Sequence, residues 1–398
     1  MAAVTICIPA YRSAAFIGQT LRSVAAQTFT NYQVLLALEP DGAEETKLAL
    51  GEFLHDKRFG YYVNDTRLGY ALNVRALLSR VRTPYYALLP HDDMWAPRYL
   101  ELLIGRLEAR PDAASAHGDM YLFDRFAGTR VFPIADGPLF TRLMSFFLGG
   151  AEGMPWHGVG RSSALDREFP TNEFDGFAVE CEWSLHLLLR GVGLYEPRAA
   201  YLKRHMPDSS DAVSVGWRTR LSEARLRRAL EQHRVHMLAL LAAAEVAPFE
   251  ARMLLVAAES AMLRRWTAFA SSSKMNMSAR EEERAALILG ELASDTSAPA
   301  RAVLSQVHAS LGHYHLGRSR VELSLQHLTR AAALAPGSGE AHVLLAAALI
   351  KLGRASDALP VLRTAAELLP LGIGLANMQQ SIGHQVARMG LPAKSNAA

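Results

Sequence analysis

Four short, almost wholly apolar runs, each followed by a helical pattern, constrain this chain more than any other feature. Residues 4–9 (VTICIP), 32–38 (YQVLLAL), 60–63 (GYYV) and 85–90 (YYALLP) alternate with helical segments at 14–26, 44–54 and 71–79, and with a further one from Pro97. A strand that is apolar at successive positions is buried on both faces. The pattern therefore predicts an α/β fold with a mostly parallel sheet and helices on both faces. Such sheets bind ligands outside the carboxyl ends of their strands. Residues 9–12, 39–42 and 90–93 are accordingly expected on one rim.

The fourth run ends in LLPHDDMW, which places Asp92 and Asp93 side by side at a strand terminus. Two adjacent carboxylates are costly to hold near a core unless water, hydrogen bonds or a cation relieve them. A divalent metal bridging a nucleotide's phosphates would do so, because Mg²⁺ takes one or two carboxylates plus phosphate oxygens. A helix N-cap before Pro97 is the structural alternative.

Bulk properties exclude several classes. The chain has 398 residues, half of them hydrophobic and a fifth charged, with a net charge of +3, so no nucleic-acid partner is expected. Two cysteines, Cys7 and Cys181, provide no disulfide framework and fit a reduced, cytoplasmic compartment. The N-terminal segment reads as a first strand instead of a signal peptide. No apolar run reaches the ~18–20 residues of a membrane span. Arg218, Arg220, Arg225, Arg227 and Arg228 form either a solvated helical face or a contact with an anionic membrane surface or diphosphate-lipid acceptor. His233 and His236 stand three apart in an Arg-rich helix without an acidic partner, so no metal site is expected there.

From about residue 213 the chain turns helical, and its end repeats itself. Segments 313–337 and 349–372 align on Leu316-Gly317-Arg318 with Leu352-Gly353-Arg354, 36 residues apart, and on Pro336 with Pro370, 34 apart. The first copy would then carry two extra residues. This resembles tetratricopeptide repeats, with a small glycine at the tight helix contact, alanine-rich packing and a closing proline. A plain helical bundle is the alternative. The expected organisation is a first domain at 1–212, a helical extension at 213–296, and repeats with a tail at 297–398.

The N-terminal part resembles the family 2 glycosyltransferases, inverting enzymes of the GT-A (Rossmann-like) fold that use nucleotide-diphosphate sugars. The likeness spans about residues 3–210. It rests on VTICIPAYRSAAFIGQTLRSVAAQTF, with Pro9, Tyr11, Ser23, Gln27 and Thr28, and on the block NDTRLGYALN…LLPHDDMW. The resemblance implies Asp93 as a ligand to Mg²⁺ or Mn²⁺ and Asp92 near the ribose or sharing the metal. It places Pro9 and Tyr11 beside the base, Glu39 or alternatively Asp41 on base and ribose, and Arg67 and Gly69 near the diphosphate. Relatives carry their catalytic base at a helix start in a Glu-Asp pair. Here FAVECEW sets Glu180 at that position with Glu182 second, unless both are simple first-turn carboxylates. His205 would complete the metal site or touch the diphosphate, and Lys203 and Arg204 would help neutralise the leaving group. Trp156 and His157 would face the acceptor, although Trp156 can equally be core.

The implied activity is transfer of a sugar, from a UDP-sugar first among donors, to a hydroxyl of a glycan, a lipid-linked acceptor or a protein. The repeats would recruit a protein partner or mediate self-association. A cytoplasmic location follows, with peripheral contact at the inner face of the membrane. The rival reading is a catalytically inactive transferase-fold scaffold, suggested by Pro90 before His91, by LEPDG and by Val179-Glu180.

Overall fold

The computed structural model describes residues 2–124, 128–131, 133–167, 169, 177–205, 222–273 and 275–368. They divide into two compact units, Met1–Leu254 and Leu255–Ala398. The expected boundary at 212 and the tail beyond 368 lie outside the described residues.

In the first unit the four apolar runs become β1 (Val4–Ala10), β2 (Tyr32–Leu38), β3 (Phe59–Val63) and β4 (Tyr85–Leu88). Every residue of β1 and β4 is buried. These strands pair in parallel in the order β3-β2-β1-β4. They are linked by α1 (Ile17–Ala25), α2 (Ala43–Leu50) and α3 (Tyr70–Leu78). Ile17, Leu21 and Val24 of α1 pack on one face of the sheet with Ile6 and Ile8, while Val74, Leu77 and Leu78 of α3 pack on the other with Cys7 and Leu88.

The remaining strands are β5 (Met94–Trp95), β6 (Ala113–Asp124), β7 (Gly128–Arg130), β8 (Val159–Arg161) and β9 (Val192–His205). They complete a nine-stranded sheet in the order β3-β2-β1-β4-β8-β6-β9-β5, with β7 on β6. This half is mixed: β6 and β9 run parallel, whereas β8 pairs antiparallel with β4 and β6, and β5 antiparallel with β9. The helices here are α4 (Tyr99–Glu108), α5 (Leu139–Leu148), α6 (Val179–Arg190) and α7 (Glu223–Leu241).

The residues that carry the family likeness near the N-terminus are architectural. Gln27 accepts from the Leu100 N–H (3.0 Å) and donates to the Ala96 carbonyl (2.8 Å). Ser23 Oγ accepts from the Trp95 N–H (3.3 Å), and Thr28 Oγ1 donates to Glu101 (2.6 Å). Together they tie the end of α1 to the segment that follows the acidic pair. The position of Asp92 and Asp93 is therefore set from both sides.

The second unit holds most of α8 (Pro248–Ser273), followed by α9 (Ala279–Glu291), α10 (Ala298–Gly317), α11 (Val321–Leu334), α12 (Gly339–Lys351) and α13 (Ala355–Leu368). The bounds of α11 and α13 differ by 34 residues at each end, and α10 and α12 likewise end 34 apart. The connections agree. Arg320 N–H donates to His315 O, as Arg354 N–H does to Leu349 O, and Ser319 (φ 57°) occupies the left-handed position that Gly353 (φ 73°) holds in the next copy. The two extra residues expected from the Leu-Gly-Arg alignment do not exist. That tripeptide match is a coincidence two residues out of register.

The tight helix contact is made by Gly312, not Gly317. A Cβ on Gly312 would lie 2.5 Å from Leu328 Cγ on α11. Its counterpart 34 residues on is Ala346, fully buried. Gly312→Val is expected to overpack this contact, cost about 1–3 kcal/mol and lower the melting transition of the repeat unit by several degrees in a thermal scan.

Candidate active site

The acidic pair meets the end of β9 because β5 pairs with it, Met94 opposite Leu202 and Trp95 opposite Tyr201. Asp93 is 1 % exposed. Its Oδ1 accepts from the Arg204 backbone N–H (2.8 Å), and its Oδ2 accepts from the Tyr201 hydroxyl (2.6 Å) and lies 3.5 Å from Lys203 Nζ. Burial pushes the Asp93 carboxyl upward, opposed by Lys203 and these donors. Burial acts against the Lys203 ammonium, but Asp93, then Asp92 and Glu180, outweigh it and hold the amine above its ordinary value. The Arg204 guanidinium is committed elsewhere. It donates to the Asp92 carbonyl (3.1 Å) and Gln19 (2.5 Å), pairs with Asp124 (2.9 Å), and packs on the rings of Phe16 and Phe123.

Glu180 stands in the first turn of α6, whose cap residue Ala178 is left-handed (φ 54°). Its charge acts on Lys203 together with Asp92 and Asp93, and the same three carboxylates act on the Tyr70 hydroxyl. Glu180 therefore shares one electrostatic neighbourhood with the acidic pair. Gly153 packs directly on this side chain, since a Cβ there would overlap Glu180 Cγ.

Glu182 serves a different purpose. It is 5 % exposed, and its Oε1 accepts from His233 Nδ1 (2.8 Å) while Oε2 lies 3.5 Å from His236 Nδ1. The two histidines thus have an acidic partner that sequence proximity did not show, and the carboxylate anchors α7 onto α6. This removes Glu182 as a base. Burial alone would raise its carboxyl, yet His233 and His236 outweigh it and hold the group below its ordinary 4.5. As pH falls, the unfolded chain takes the proton first. The stabilisation is complete above that ordinary value and is lost as pH falls through the folded one. Wild-type melting temperature should drop more steeply than that of Glu182→Gln between about pH 5.5 and about pH 3.5.

On the opposite side of the rim, Tyr11, Arg67 and Asp41 come together. The Arg67 guanidinium sits 4.5 Å from the Tyr11 ring centre and 3.9 Å from Asp41 Oδ2. Of the two carboxylates expected after β2, Asp41 is the exposed one. Glu39 is 3 % exposed and accepts from the Leu68 N–H (2.9 Å), so it shapes the loop carrying Arg67 and Gly69. Pro9 is buried and presents no wall, but its carbonyl lies 3.2 Å from His91 Nδ1. Asn64 and Asn73 open and close the NDTRLGYALN block, and their role shows only in the structure. They bond to each other (3.1 Å), and Asn73 bonds to the Ala37 carbonyl (3.1 Å), fixing the loop between β3 and α3.

The acceptor-facing residues expected at 156 and 157 are core. Trp156 is 2 % exposed, donates from Nε1 to the Tyr70 hydroxyl (3.2 Å) and packs edge-on to Trp183. His157 is 8 % exposed, with its ring 4.9 Å from that of Tyr201. Neither offers a ring face to a sugar. The His205 side chain lies outside the described residues, as do Arg218 and Arg220, while Arg225 and Arg228 are exposed.

Asp93 does not fit the metal-ligand role that the resemblance implies, and the other residue assigned to the metal, His205, has its side chain outside the described residues. Both oxygens of Asp93 already receive protein donors. Among the described residues no three His, Cys, Asp or Glu side chains converge to hold an ion.

The comparisons agree with this architecture. Residues 5–165 match glycosyl transferase family 2, and residues 315–372 match the tetratricopeptide repeat. The chain therefore carries a glycosyl transferase family 2 domain followed by tetratricopeptide-type repeats. Among solved structures it is similar to S. aureus TarS 1–349 in complex with UDP-GlcNAc, with a TM-score of 0.56 and 13 % identity over 84 % of this chain and 91 % of that one. The UDP complex of the same protein gives a TM-score of 0.53 and 14 % identity over the same shares. The mannosyltransferase PcManGT from Pyrobaculum calidifontis, solved with GDP-Man and Mn²⁺, gives 0.46 and 16 % identity over 83 % of this chain and 86 % of that one. The two TarS likenesses establish a GT-A fold. No curated protein matches the chain. Among the described residues no helix is long and apolar enough to cross a membrane.

Proposed function

We propose that the first unit is an inverting glycosyltransferase that moves a sugar from a nucleotide-diphosphate donor to an acceptor hydroxyl. The observation that carries this reading is the Asp93–Lys203 pair beside Asp92 at the carboxyl ends of the strands, where this fold class binds its ligands, with Glu180 within electrostatic reach of the same ammonium. A UDP-sugar is the donor we assign, in keeping with the UDP-GlcNAc bound by TarS. The base lies against Tyr11 and Arg67, with Asp41 beside the ribose, and the diphosphate runs towards Asp92 and Lys203.

In the reaction, Glu180 takes the proton of the acceptor hydroxyl as its oxygen attacks the anomeric carbon. The bond from that carbon to the diphosphate breaks on the opposite face. Its electron pair leaves with the nucleotide, and the charge that develops is met by Lys203. The repeats offer stacked helix pairs suited to a protein partner, an acceptor protein or a second copy.

Calorimetric titration with UDP, GDP and dTDP tests the binding half of this reading. One nucleotide is expected to bind, and both Tyr11→Ala and Arg67→Ala should weaken it about tenfold, the loss of one stacking contact and one cation–π contact. Equal affinity in both variants would move the base away from this wall.

A further inference from the structure

We propose that Lys203 stands where a divalent cation would otherwise sit, so that the nucleotide diphosphate binds and leaves without a metal. The inference rests on the nucleotide-diphosphate reading above and concerns how that site balances charge.

Three features of the chain lead to it. Asp93 lies at the end of the acidic motif, yet it is 1 % exposed and its two oxygens are held by the Arg204 N–H and the Tyr201 hydroxyl. Lys203 Nζ lies 3.5 Å from Oδ2. A Mg²⁺ ion approaches carboxylate oxygens to about 2.0–2.1 Å. An ion bound to Oδ2 would then share the carboxylate with an ammonium a few ångströms away, and one of the two cations would have to leave.

The second feature is the shortage of other ligands. Position 90, two residues before Asp92, is a proline, whose side chain has no ligating atom, and among the described residues no three His, Cys, Asp or Glu side chains are grouped so as to hold an ion. The third is the division of labour between the two basic residues. The Arg204 side chain is 8 % exposed and fixed by Asp124, Gln19 and the Asp92 carbonyl, so it buttresses the loop. The Lys203 side chain keeps 35 % exposure. Its point charge on a flexible stem suits a diphosphate, which a lysine can contact without fixed geometry.

The test is a titration of the full chain with UDP, GDP and dTDP, each in EDTA and in Mn²⁺, alongside Lys203→Met, Lys203→Arg and the matching nucleosides. The expected result is binding of one nucleotide in EDTA with a Kd within about twofold of that in Mn²⁺. Lys203→Met should weaken the diphosphate at least about tenfold while leaving the nucleoside unchanged, and Lys203→Arg should restore most of the loss. Binding that requires Mn²⁺ in the wild type would overturn the proposal whatever the variants do. So would equal loss of nucleoside and diphosphate in Lys203→Met, because that pattern marks a structural lysine. If none of the three nucleotides binds under either condition, the nucleotide-diphosphate reading itself falls and this inference with it.

Discussion

Glu180→Gln is expected to slow sugar transfer by about 10²–10⁴-fold, the usual contribution of a positioned general base. Nucleotide affinity should barely change, since the amide keeps the shape and hydrogen-bonding reach of the side chain. Position and surroundings both support the size of this effect. Glu180 sits in the first turn of α6 and is held against Gly153. Its neighbour Glu182 is consumed by His233 and His236, so it cannot take over the proton. Rate and affinity should therefore separate cleanly in steady-state kinetics. A joint loss of both would mean that Glu180 holds the nucleotide.

Asp93→Ala should act mainly through stability. Removing this carboxylate strands the Tyr201 hydroxyl and the Arg204 N–H in a buried place and takes from Lys203 its nearest counter-charge. Breaking a buried pair costs about 3–5 kcal/mol. The third of Lys203 that reaches solvent places the expected loss near the lower end. For a unit of this size that corresponds to a fall in melting temperature of roughly 10 °C. Asp93→Asn keeps one acceptor oxygen and should cost less. Were Asp93→Ala to keep its stability and lose only metal-dependent nucleotide binding, Asp93 would be an open ligand after all.

The parallel half of the sheet was legible because its strands are apolar at nearly every position, a pattern few other folds require. The rim followed from it, and so did the meeting of residues near 9, 39 and 92. The other half was not legible. Strands β7 and β8 are three residues long and β5 only two, too short to show any period. The pairing of β5 with β9 brings Tyr201, Lys203 and Arg204 to Asp93 across more than a hundred residues. Nothing local announces that contact, although the alternation in YLKRH points Tyr201 and Lys203 to one side of the strand.

Trp156 misled for a related reason. An aromatic in a glycine-rich loop looks available to a sugar, but here a 3-10 turn at Met154–His157 folds the loop inward and buries all four of its residues. Glu182 and His233 lie on two different helices, 51 residues apart, so nothing local pairs them. In the repeats, a local match on Leu-Gly-Arg outweighed the 34-residue period that both helix pairs keep. Gly312 then stood outside the motif, though a glycine facing an alanine one period later was the better signal.

The most direct test of the central claim is donor turnover. Purified protein would be incubated with UDP-GlcNAc, UDP-Glc and GDP-Man in turn, and release of free nucleoside diphosphate followed in wild type and Glu180→Gln. The account predicts release from one donor by the wild type and loss of that release by at least about a hundredfold in the variant. Release that is undiminished in Glu180→Gln would contradict it. Folded wild-type protein that releases nothing and binds no nucleotide would point to a transferase fold retained for its partners.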